Sequence, residues 1–355
     1  MNLLYRLEQL ATIYYRNRFL RKTKKSKHVP SPTYVLWDCT RRCNLQCEHC
    51  GASKEKYDNE LSTKEILCVI DGLAQMKVNM FAVTGGEPLL REDLLEVLGY
   101  ASKKGMITGI ASNGFLINKE IAGKIKDAGI SSMQISIDGT KETHNKIRNN
   151  NYSFDRAISA ITYLSEANVP LIQVATTITN SNFSELDKIK HLLLKLKIKH
   201  WRLGIVMPIG RATGKDLMLC TKKLNLLFEF IRKNKNILNI SVGENLPYLL
   251  EYEESIRDTP VLCPVGITAC CIGVGGNIRG CPEQPDTEEF IEGNIRQESI
   301  ALIWQNCFKR YRLNTILNGD KRCSVCKDKY KCFGGCWVMR KGNNHCIHDL
   351  MKKKL

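Results

Sequence analysis

Short apolar runs alternate with amphipathic segments from about residue 33 to residue 206. The apolar runs predict β-strands at 33–38, 80–84, 106–111, 131–137, 170–177 and 200–206. Between them, helical spacing of apolar residues predicts helices at 62–78, 91–104, 118–128, 154–168 and 183–197. Ser62 and Glu65 form a capping box at the start of the first helix. This alternation predicts an α/β fold with a parallel sheet and right-handed crossovers.

Each predicted strand is followed by a polar or glycine-rich loop. In chain order these loops read CTRRCNLQCEHC, GGEP, SNG, DG, TNSN and MPIGR. In parallel barrels the loops at the carboxyl ends of the strands meet on one face and carry the chemistry. Six βα units are fewer than the eight of a closed barrel. The pattern therefore predicts a partial (β/α)6 TIM-like barrel with an open side for a large substrate.

The two ends of the chain have different patterns from the barrel. Helical apolar spacing from Leu3 to Tyr14 precedes seven Lys and Arg residues between Arg16 and Lys27. This predicts a basic amphipathic arm that packs on the body or contacts a membrane surface or a peptide. We predict four segments: the arm (1–30), the barrel (31–215), a helical linker (216–262) and a cysteine-rich domain (263–355). The stretch CCIGVGGNIRGC predicts a β-hairpin in that domain, with its turn at Gly275 and Gly276.

Composition narrows the class of protein. The 355-residue chain is 43% hydrophobic and has neither an apolar run of membrane-spanning length nor a signal-peptide pattern, which predicts a cytoplasmic protein. Sixteen cysteines in such a chain favour metal ligation over disulfides. The net charge of +17 suggests an anionic partner. No interleaved basic and aromatic motif is present, so we expect no stable nucleic-acid partner.

Three thiols, those of Cys43, Cys47 and Cys50, follow the first predicted strand on one loop. Thiolates bind zinc or iron–sulfur clusters. A structural zinc site takes four ligands, and the nearby alternatives for a fourth are Cys39 and His49. Three ligands at a barrel strand end instead favour a 4Fe-4S cluster with one open iron.

Three motifs resemble, in order and spacing, the radical SAM superfamily over residues 33–210. They are CNLQCEHC, Gly85-Gly86-Glu87-Pro88 and Ser136-Ile137-Asp138-Gly139. The resemblance implies that an electron donor such as flavodoxin or ferredoxin reduces the cluster. S-adenosylmethionine (SAM) is then cleaved to methionine and a 5′-deoxyadenosyl radical, which takes a hydrogen atom from the substrate. The implied SAM contacts are Gly85, Gly86, Glu87 and Pro88 for the amino group, Ser112, Asn113, Ser136 and Asp138 for the ribose, and Arg148 for the carboxylate.

The cysteines from residue 263 onward resemble the SPASM domain of radical SAM peptide-modifying enzymes. This implies two auxiliary 4Fe-4S clusters, making three in all. Cys263, Cys281 and Cys336 would hold the first, with Cys270 or Cys271 as the fourth ligand; we take Cys270 as the prediction. Cys323, Cys326, Cys332 and Cys346 would hold the second. A zinc ribbon is the alternative for the CxxC segment.

The two resemblances together predict an oxidoreductase that matures a ribosomally synthesised precursor peptide by installing a thioether or carbon–carbon crosslink. A sugar or small-metabolite dehydrogenase or epimerase is the alternative. An anaerobic sulfatase maturase is less favoured, because Cys281 is followed by Pro282 and Glu283 rather than by an aspartate. His49 also stands where that group has a tyrosine.

Overall fold

A computed structural model of the chain describes residues 7, 9–16, 29–51, 59–243, 245–246, 248–313, 319–343 and 346–352. Within these residues ten strands form one sheet in the order β10-β9-β8-β1-β2-β3-β4-β5-β6-β7. The neighbours from β8 through β1 to β7 pair in parallel, and β9 and β10 continue the sheet in antiparallel pairs.

The strands have the following bounds: β1 Tyr34–Asp38, β2 Met80–Thr84, β3 Ile107–Ser112, β4 Ser132–Ser136, β5 Leu171–Ile178, β6 His200–Ile205, β7 Asn239–Val242, β8 Ala269–Ile272, β9 Asn277–Arg279 and β10 Gly293–Asn294. The longer helices are α1 (residues 9–16), α2 Thr63–Gln75, α3 Leu94–Lys103, α4 Lys119–Asp127, α5 Lys141–Arg148, α6 Ser153–Glu166, α7 Leu186–Lys195 and α8 Thr221–Asn234. Short helices follow: α9 Glu253–Ile256, α10 Ile300–Asn306, α11 Lys309–Arg312, α12 Lys321–Ser324, α13 Lys329–Cys332, α14 Trp337–Asn343 and α15 Ile347–Lys352.

The six predicted strands and the five predicted barrel helices are all present, with ends shifted by a few residues. The capping box at Ser62 and Glu65 is formed. The predicted hairpin is also present, because β8 and β9 pair in antiparallel fashion around Gly276, whose φ is +88°. The α/β fold prediction is therefore confirmed.

The sheet extends beyond the six predicted strands on both sides. β7 pairs in parallel with β6, so the segment predicted as a helical linker also contains a strand. β8 pairs in parallel with β1, which joins the hairpin of the cysteine-rich segment to the barrel sheet. A strand edge exposes unpaired backbone groups, and β8 covers that of β1 with four buried residues. The predicted domain boundaries stay predictions.

The core lies between the outer face of the sheet and the helices. Trp37 of β1 stacks on Phe81 of β2 with ring centroids 6.3 Å apart, and both side chains are fully buried. Alternate residues of the same strands point to the opposite face, where Leu36 and Ala82 line a cavity. Strands β1 and β2 therefore both contribute to the core and to the cavity.

Helix α1 contacts the body through polar side chains. Arg16, only 2% exposed, donates from Nη2 to the backbone oxygen of Cys263 at 2.7 Å. Thr12 Oγ1 lies 2.7 Å from Thr268 Oγ1. Leu10 and Tyr14, predicted as part of the apolar face, are 49% and 59% exposed. Contact of the arm with a membrane surface stays a prediction, and residues 17–28 lie outside the described part. None of the described helices is long and apolar enough to cross a membrane.

Candidate functional site

A cavity of about 1480 Å³ lies against the inner face of the sheet. Pockets that bind one drug-sized molecule usually measure about 300–1,000 Å³, so this one has room for more than one ligand. The predicted site residues in its wall are Cys43, Cys47, Cys50, Gly85, Gly86, Ser112, Asn113, Ser136, Arg148, Cys263, Cys270, Cys281 and Cys336. Glu87, Pro88 and Asp138 are buried outside this wall, and Cys323, Cys326, Cys332 and Cys346 also lie outside it.

The loop that carries Cys43, Cys47 and Cys50 is anchored by hydrogen bonds to its backbone. Arg211, which follows β6, donates from Nε to Cys47 O at 2.7 Å and from its backbone N to Cys50 O at 2.9 Å. The Glu48 N–H donates to Ile147 O of α5 at 2.9 Å. The three cysteines are free of disulfides. The body therefore fixes the backbone of the loop that carries the three thiols.

The Gly85-Gly86-Glu87 segment packs directly against the backbone before the cysteine loop. The Gly86 N–H donates to Thr40 O at 2.7 Å, and the Glu87 N–H donates to Arg42 O at 2.8 Å. A Cβ on Gly85 would lie 2.6 Å from Thr40 O, and one on Gly86 would collide with Arg42 O. Glycine is needed here for close backbone approach. The two motifs therefore form one interlocked unit at the ends of β1 and β2.

The Glu87 carboxylate joins the loops after β2 and β3. It accepts hydrogen bonds from Ser112 Oγ at 2.8 Å, from Asn113 N at 2.9 Å and from Leu89 N at 3.2 Å. Burial raises the pKa of Glu87, and these hydrogen bonds oppose that shift. In this structure the carboxylate is held within the protein, so its predicted contact with the SAM amino group stays a prediction.

Asp138 and Arg148 form a buried ion pair beside the cysteine loop. Arg148 donates from Nε to Asp138 Oδ2 at 2.7 Å, and its Nη2 lies 2.5 Å from the same oxygen. Its Nη1 donates to Cys47 Sγ at 3.6 Å. Burial raises the pKa of Asp138, but Arg148, the two neighbouring histidines and the Thr177 N–H together outweigh this, and the net shift of the pKa is downward. Their predicted contacts with SAM stay predictions, and Arg148 also lines the cavity.

His49 lies within the cysteine motif and beside this ion pair. Its Nε2 is 3.8 Å from Asp138 Oδ2. Burial lowers the pKa of His49 to about 4, and the positive charges of Arg148, Arg211 and Lys215 add to that effect. The imidazole is therefore neutral near pH 7.

Cys263, Cys281 and Cys336 come together in the C-terminal part of the cavity wall. Burial raises the pKa of Cys281 well above its ordinary value, and the neighbouring thiols of Cys336 and Cys263 raise it further. Cys263 has the same effect on Cys336. Such mutual destabilisation of thiolates is what a bound cation or cluster relieves.

The choice between Cys270 and Cys271 can be examined from the strand register. Cys271 pairs with Leu36 and Cys270 with Val35, and paired residues share a face of the sheet. Leu36 lines the cavity, whereas Val35 and Cys270 belong to the core. Cys271 is also among the groups that raise the pKa of Cys281. Although Cys270 contributes to the cavity wall, the register favours Cys271 as the neighbour of the other three thiols.

Cys323, Cys326, Cys332 and Cys346 form a second C-terminal group. Burial raises the pKa of Cys332 to about 12, and the other three thiols add to the shift. Arg340 donates from Nη2 to Cys323 Sγ at 3.2 Å and also pairs with Asp320. Arg340 and Arg211 were missed by the sequence analysis, since neither belongs to a recognisable motif.

The described residues therefore provide three sets of thiols, one per predicted cluster. Thiolates are the ligands of iron–sulfur clusters, and N–H donors near the sulfurs are typical of such sites. The residues present fit clusters at all three positions. The number of clusters stays a prediction.

Comparison with known proteins agrees with this geometry. Residues 37–193, which hold the Cys43 loop, the Gly85-Gly86 loop and Asp138, match the radical SAM superfamily. The chain carries a radical SAM domain. It is therefore an enzyme that uses SAM and a 4Fe-4S cluster.

Relatives of this radical SAM enzyme include a protein named as a heme synthase and one named as a maturase. The chain is 29% identical to an AdoMet-dependent heme synthase of Oleidesulfovibrio alaskensis, over 86% of this chain and 83% of the relative. It is 28% identical to the mycofactocin maturase MftC of Mycobacterium tuberculosis, over 88% of this chain and 80% of that protein.

Solved structures show that the similarity of fold extends beyond the matched domain. Streptococcus suis SuiB bound to S-adenosylmethionine aligns with a TM-score of 0.72 and 16% identity, over 94% of this chain and 77% of SuiB. SuiB has also been solved with its precursor peptide SuiA, with a TM-score of 0.71 and 16% identity over 94% of this chain and 75% of SuiB. At this identity the likeness concerns the fold alone.

Proposed function

We propose that this radical SAM enzyme oxidatively modifies a ribosomally synthesised peptide, forming a thioether or a carbon–carbon crosslink. The observation that carries the proposal is that one cavity is lined by two sets of cysteines. The barrel provides Cys43, Cys47 and Cys50, and the C-terminal region provides Cys263, Cys281 and Cys336. A substrate in that cavity would lie between them. The relative named as a maturase and the peptide-bound SuiB structure support a peptide as that substrate.

The residues of the chain have separable tasks in this proposal. Cys43, Cys47 and Cys50 would hold the cluster that binds SAM, and the two C-terminal groups would hold auxiliary clusters. When bound, such clusters supply or accept single electrons, and the open iron of the first holds SAM. Arg148 and Arg211 hold the Cys47 side chain and backbone in place.

The barrel separates the reacting groups from bulk water. Core residues such as Trp37 and Trp201 close the outer side of the sheet, and the cavity lies on its other side. Glu87 fixes Ser112 and Asn113, two predicted ribose contacts, by hydrogen bonds. Exclusion of water protects a reactive radical from side reactions. The physiological electron donor in this proposal is a small protein of the flavodoxin or ferredoxin type.

A second candidate substrate is a tetrapyrrole. The observation that favours it is the relative named heme synthase, which matches over 86% of this chain at 29% identity. The cavity of about 1480 Å³ has room for SAM together with a flat macrocycle. Both candidates require the same first step.

The test uses anaerobically reconstituted protein with SAM and dithionite. One arm contains the short peptide encoded nearest to its gene, and the other contains an iron porphyrin. We expect 5′-deoxyadenosine in chromatography and the loss of two hydrogen atoms per crosslink in the peptide mass spectrum. An unchanged peptide with a modified porphyrin would establish the second candidate. The absence of 5′-deoxyadenosine in iron-loaded protein would contradict both.

The control is the variant in which Cys43, Cys47 and Cys50 are all alanine. It should form neither 5′-deoxyadenosine nor product, because SAM must contact the open iron to be reduced. Turnover close to that of the wild type would show that the Cys43 loop does not carry the chemistry.

A further inference from the structure

The loops around Cys323, Cys326 and Cys332 expose apolar side chains to solvent. Val325, between two of these cysteines, is 85% exposed, the highest value among the described large hydrophobic residues. Tyr330, between Cys326 and Cys332, is 67% exposed. We call these two residues and three exposed lysines, Lys321, Lys327 and Lys331, the Val325 surface.

Positively charged residues flank these two apolar residues along the chain. Residues 320–332 contain five Lys or Arg residues and two Asp residues. Both aspartates have partners, since Asp320 pairs with Arg322 and Arg340, and Asp328 with His348 at 3.1 Å. Lys321, Lys327 and Lys331 are exposed. The Val325 surface therefore combines exposed apolar residues with exposed cations, a composition that suits an interface with an acidic partner.

The Val325 surface belongs to the same segment as cysteines that lie outside the cavity, a position suited to electron transfer with an external protein. The thiols of the second C-terminal group do not line the cavity, whereas those of the first do. Cys326, Cys332 and Cys346 are partly exposed, so a centre held there is close to solvent. A substrate in the cavity reaches the first group, and an external protein reaches the second.

We propose that an acidic one-electron carrier protein docks on the Val325 surface and exchanges one electron with the centre held by Cys323, Cys326, Cys332 and Cys346. This inference rests on the proposed function, which places a cluster at those cysteines. In one direction the reduced carrier loses one electron and the oxidised centre gains it. In the other, a centre that has taken an electron from the substrate loses it to the oxidised carrier, and neither transfer changes a covalent bond of the carrier or the centre. Redox encounters of this kind use small interfaces, which one short cysteine-rich segment can supply.

The apolar residues lie close to the cysteines along the chain, and this favours a carrier protein over an anionic lipid surface as the partner. Val325 lies between Cys323 and Cys326, and Tyr330 lies two residues before Cys332, so a partner on them is brought next to the centre. Membrane binding would not require that proximity.

The experiment mixes iron-loaded, oxidised protein with one equivalent of reduced acidic ferredoxin and follows the visible absorbance by stopped flow. The test variant carries Lys321→Glu, Lys327→Glu and Lys331→Glu. The matched control carries Lys119→Glu, Lys126→Glu and Lys188→Glu, exposed positions on α4 and α7 with the same change in net charge. We expect the second-order rate constant at low salt to fall about tenfold or more in the test variant and much less in the control.

Several outcomes separate the two proposals. Full iron content with equal rates in all three proteins would overturn docking here and leave the proposed function intact. Equal slowing in both variants would show that only net charge matters, which also overturns the inference. Protein that cannot be loaded with iron at these cysteines would instead count against the proposed function. Vesicles of phosphatidylserine form a final arm, and binding that is lost only in the test variant would identify a lipid surface instead of a carrier.

Discussion

The guanidinium of Arg148 donates to Cys47 Sγ at 3.6 Å while Asp138 holds its other side. A similar arrangement occurs in the C-terminal region, where Arg340 donates to Cys323 Sγ at 3.2 Å and pairs with Asp320. Both arginines are buried. A cation beside a thiolate stabilises its charge, so these arginines favour ligation at the two sites.

Replacing Arg148 by Gln should destabilise the protein and weaken cluster binding at the Cys43 loop. Asp138 is 0% exposed, and removing its partner leaves a buried charge uncompensated, a change that typically costs about 3–5 kcal/mol. Urea unfolding and iron analysis measure the two effects. The double variant Arg148→Gln, Asp138→Asn should recover part of the stability. The cycle is completed by the single variant Asp138→Asn. If the losses of unfolding free energy in the two single variants summed to the loss in the double variant, Arg148 and Asp138 would not be energetically coupled.

The Gly86→Ala variant should lose the interlock between the Gly85-Gly86 and cysteine loops. Its methyl group would collide with the backbone oxygen of Arg42, which cannot move away as a flexible side chain can. We expect a loss of about 1–3 kcal/mol in unfolding free energy and weaker SAM binding, measured by calorimetry. The matched control is Gly123→Ala on α4, where an added Cβ meets nothing within 4 Å. That change should be neutral or stabilising, and equal effects at both positions would contradict the interlock.

Reconstituted wild-type protein should bind about 12 Fe per chain, and the variant with alanine at Cys43, Cys47 and Cys50 about 8 Fe. The reason is that the three thiol sets are separate in the structure, so losing one leaves two. Iron and zinc are measured together in the same sample. Stoichiometric zinc, or saturation of the wild type near 4 Fe, would be incompatible with three 4Fe-4S clusters.

Serine at Cys271 should lower iron binding at the first auxiliary site more than serine at Cys270. The register pairs Cys271 with Leu36, which lines the cavity, and Cys271 is the one of the two that raises the pKa of Cys281. Iron content and the electron paramagnetic resonance spectrum of the reduced protein report the difference. A larger loss in Cys270→Ser would restore Cys270 as the ligand.

The sequence predicted those parts of the site that depend on local spacing. Cys43, Cys47 and Cys50 share one loop, and β1 to β6 have apolar patterns of sufficient length. Strand β7 has only four residues, NISV, and its partner β6 is more than thirty residues away. So short a run carries too little periodicity to be recognised.

The contacts of Arg148 could not be predicted for a different reason. Cys47 and Arg148 are separated by 101 residues, and their proximity depends on how α5 packs beside the cysteine loop. No apolar periodicity indicates α5 itself, because its eight residues, KETHNKIR, are largely polar. The expected pairing of Arg148 with SAM came from resemblance, and the ion pair with Asp138 emerges only in the folded protein.

Replacing Cys323 and Cys326 by alanine should separate SAM cleavage from product formation. These two cysteines lie outside the cavity, whereas Cys43, Cys47 and Cys50 line it, so the variant should still form 5′-deoxyadenosine. If the second auxiliary centre accepts or conducts an electron from the substrate radical, the modified peptide should be absent.

Metal ligation also contributes folding free energy, so the variant must first be shown to be soluble and to retain about 8 Fe. The Cys68→Ala variant, which changes a cysteine of α2 outside all three thiol sets, is the matched control and should behave as the wild type. The peptide mass and 5′-deoxyadenosine are measured in the same reaction. A wild-type yield of product from a folded protein that lacks this centre would mean that Cys323 and Cys326 serve the fold and not the oxidation of the substrate.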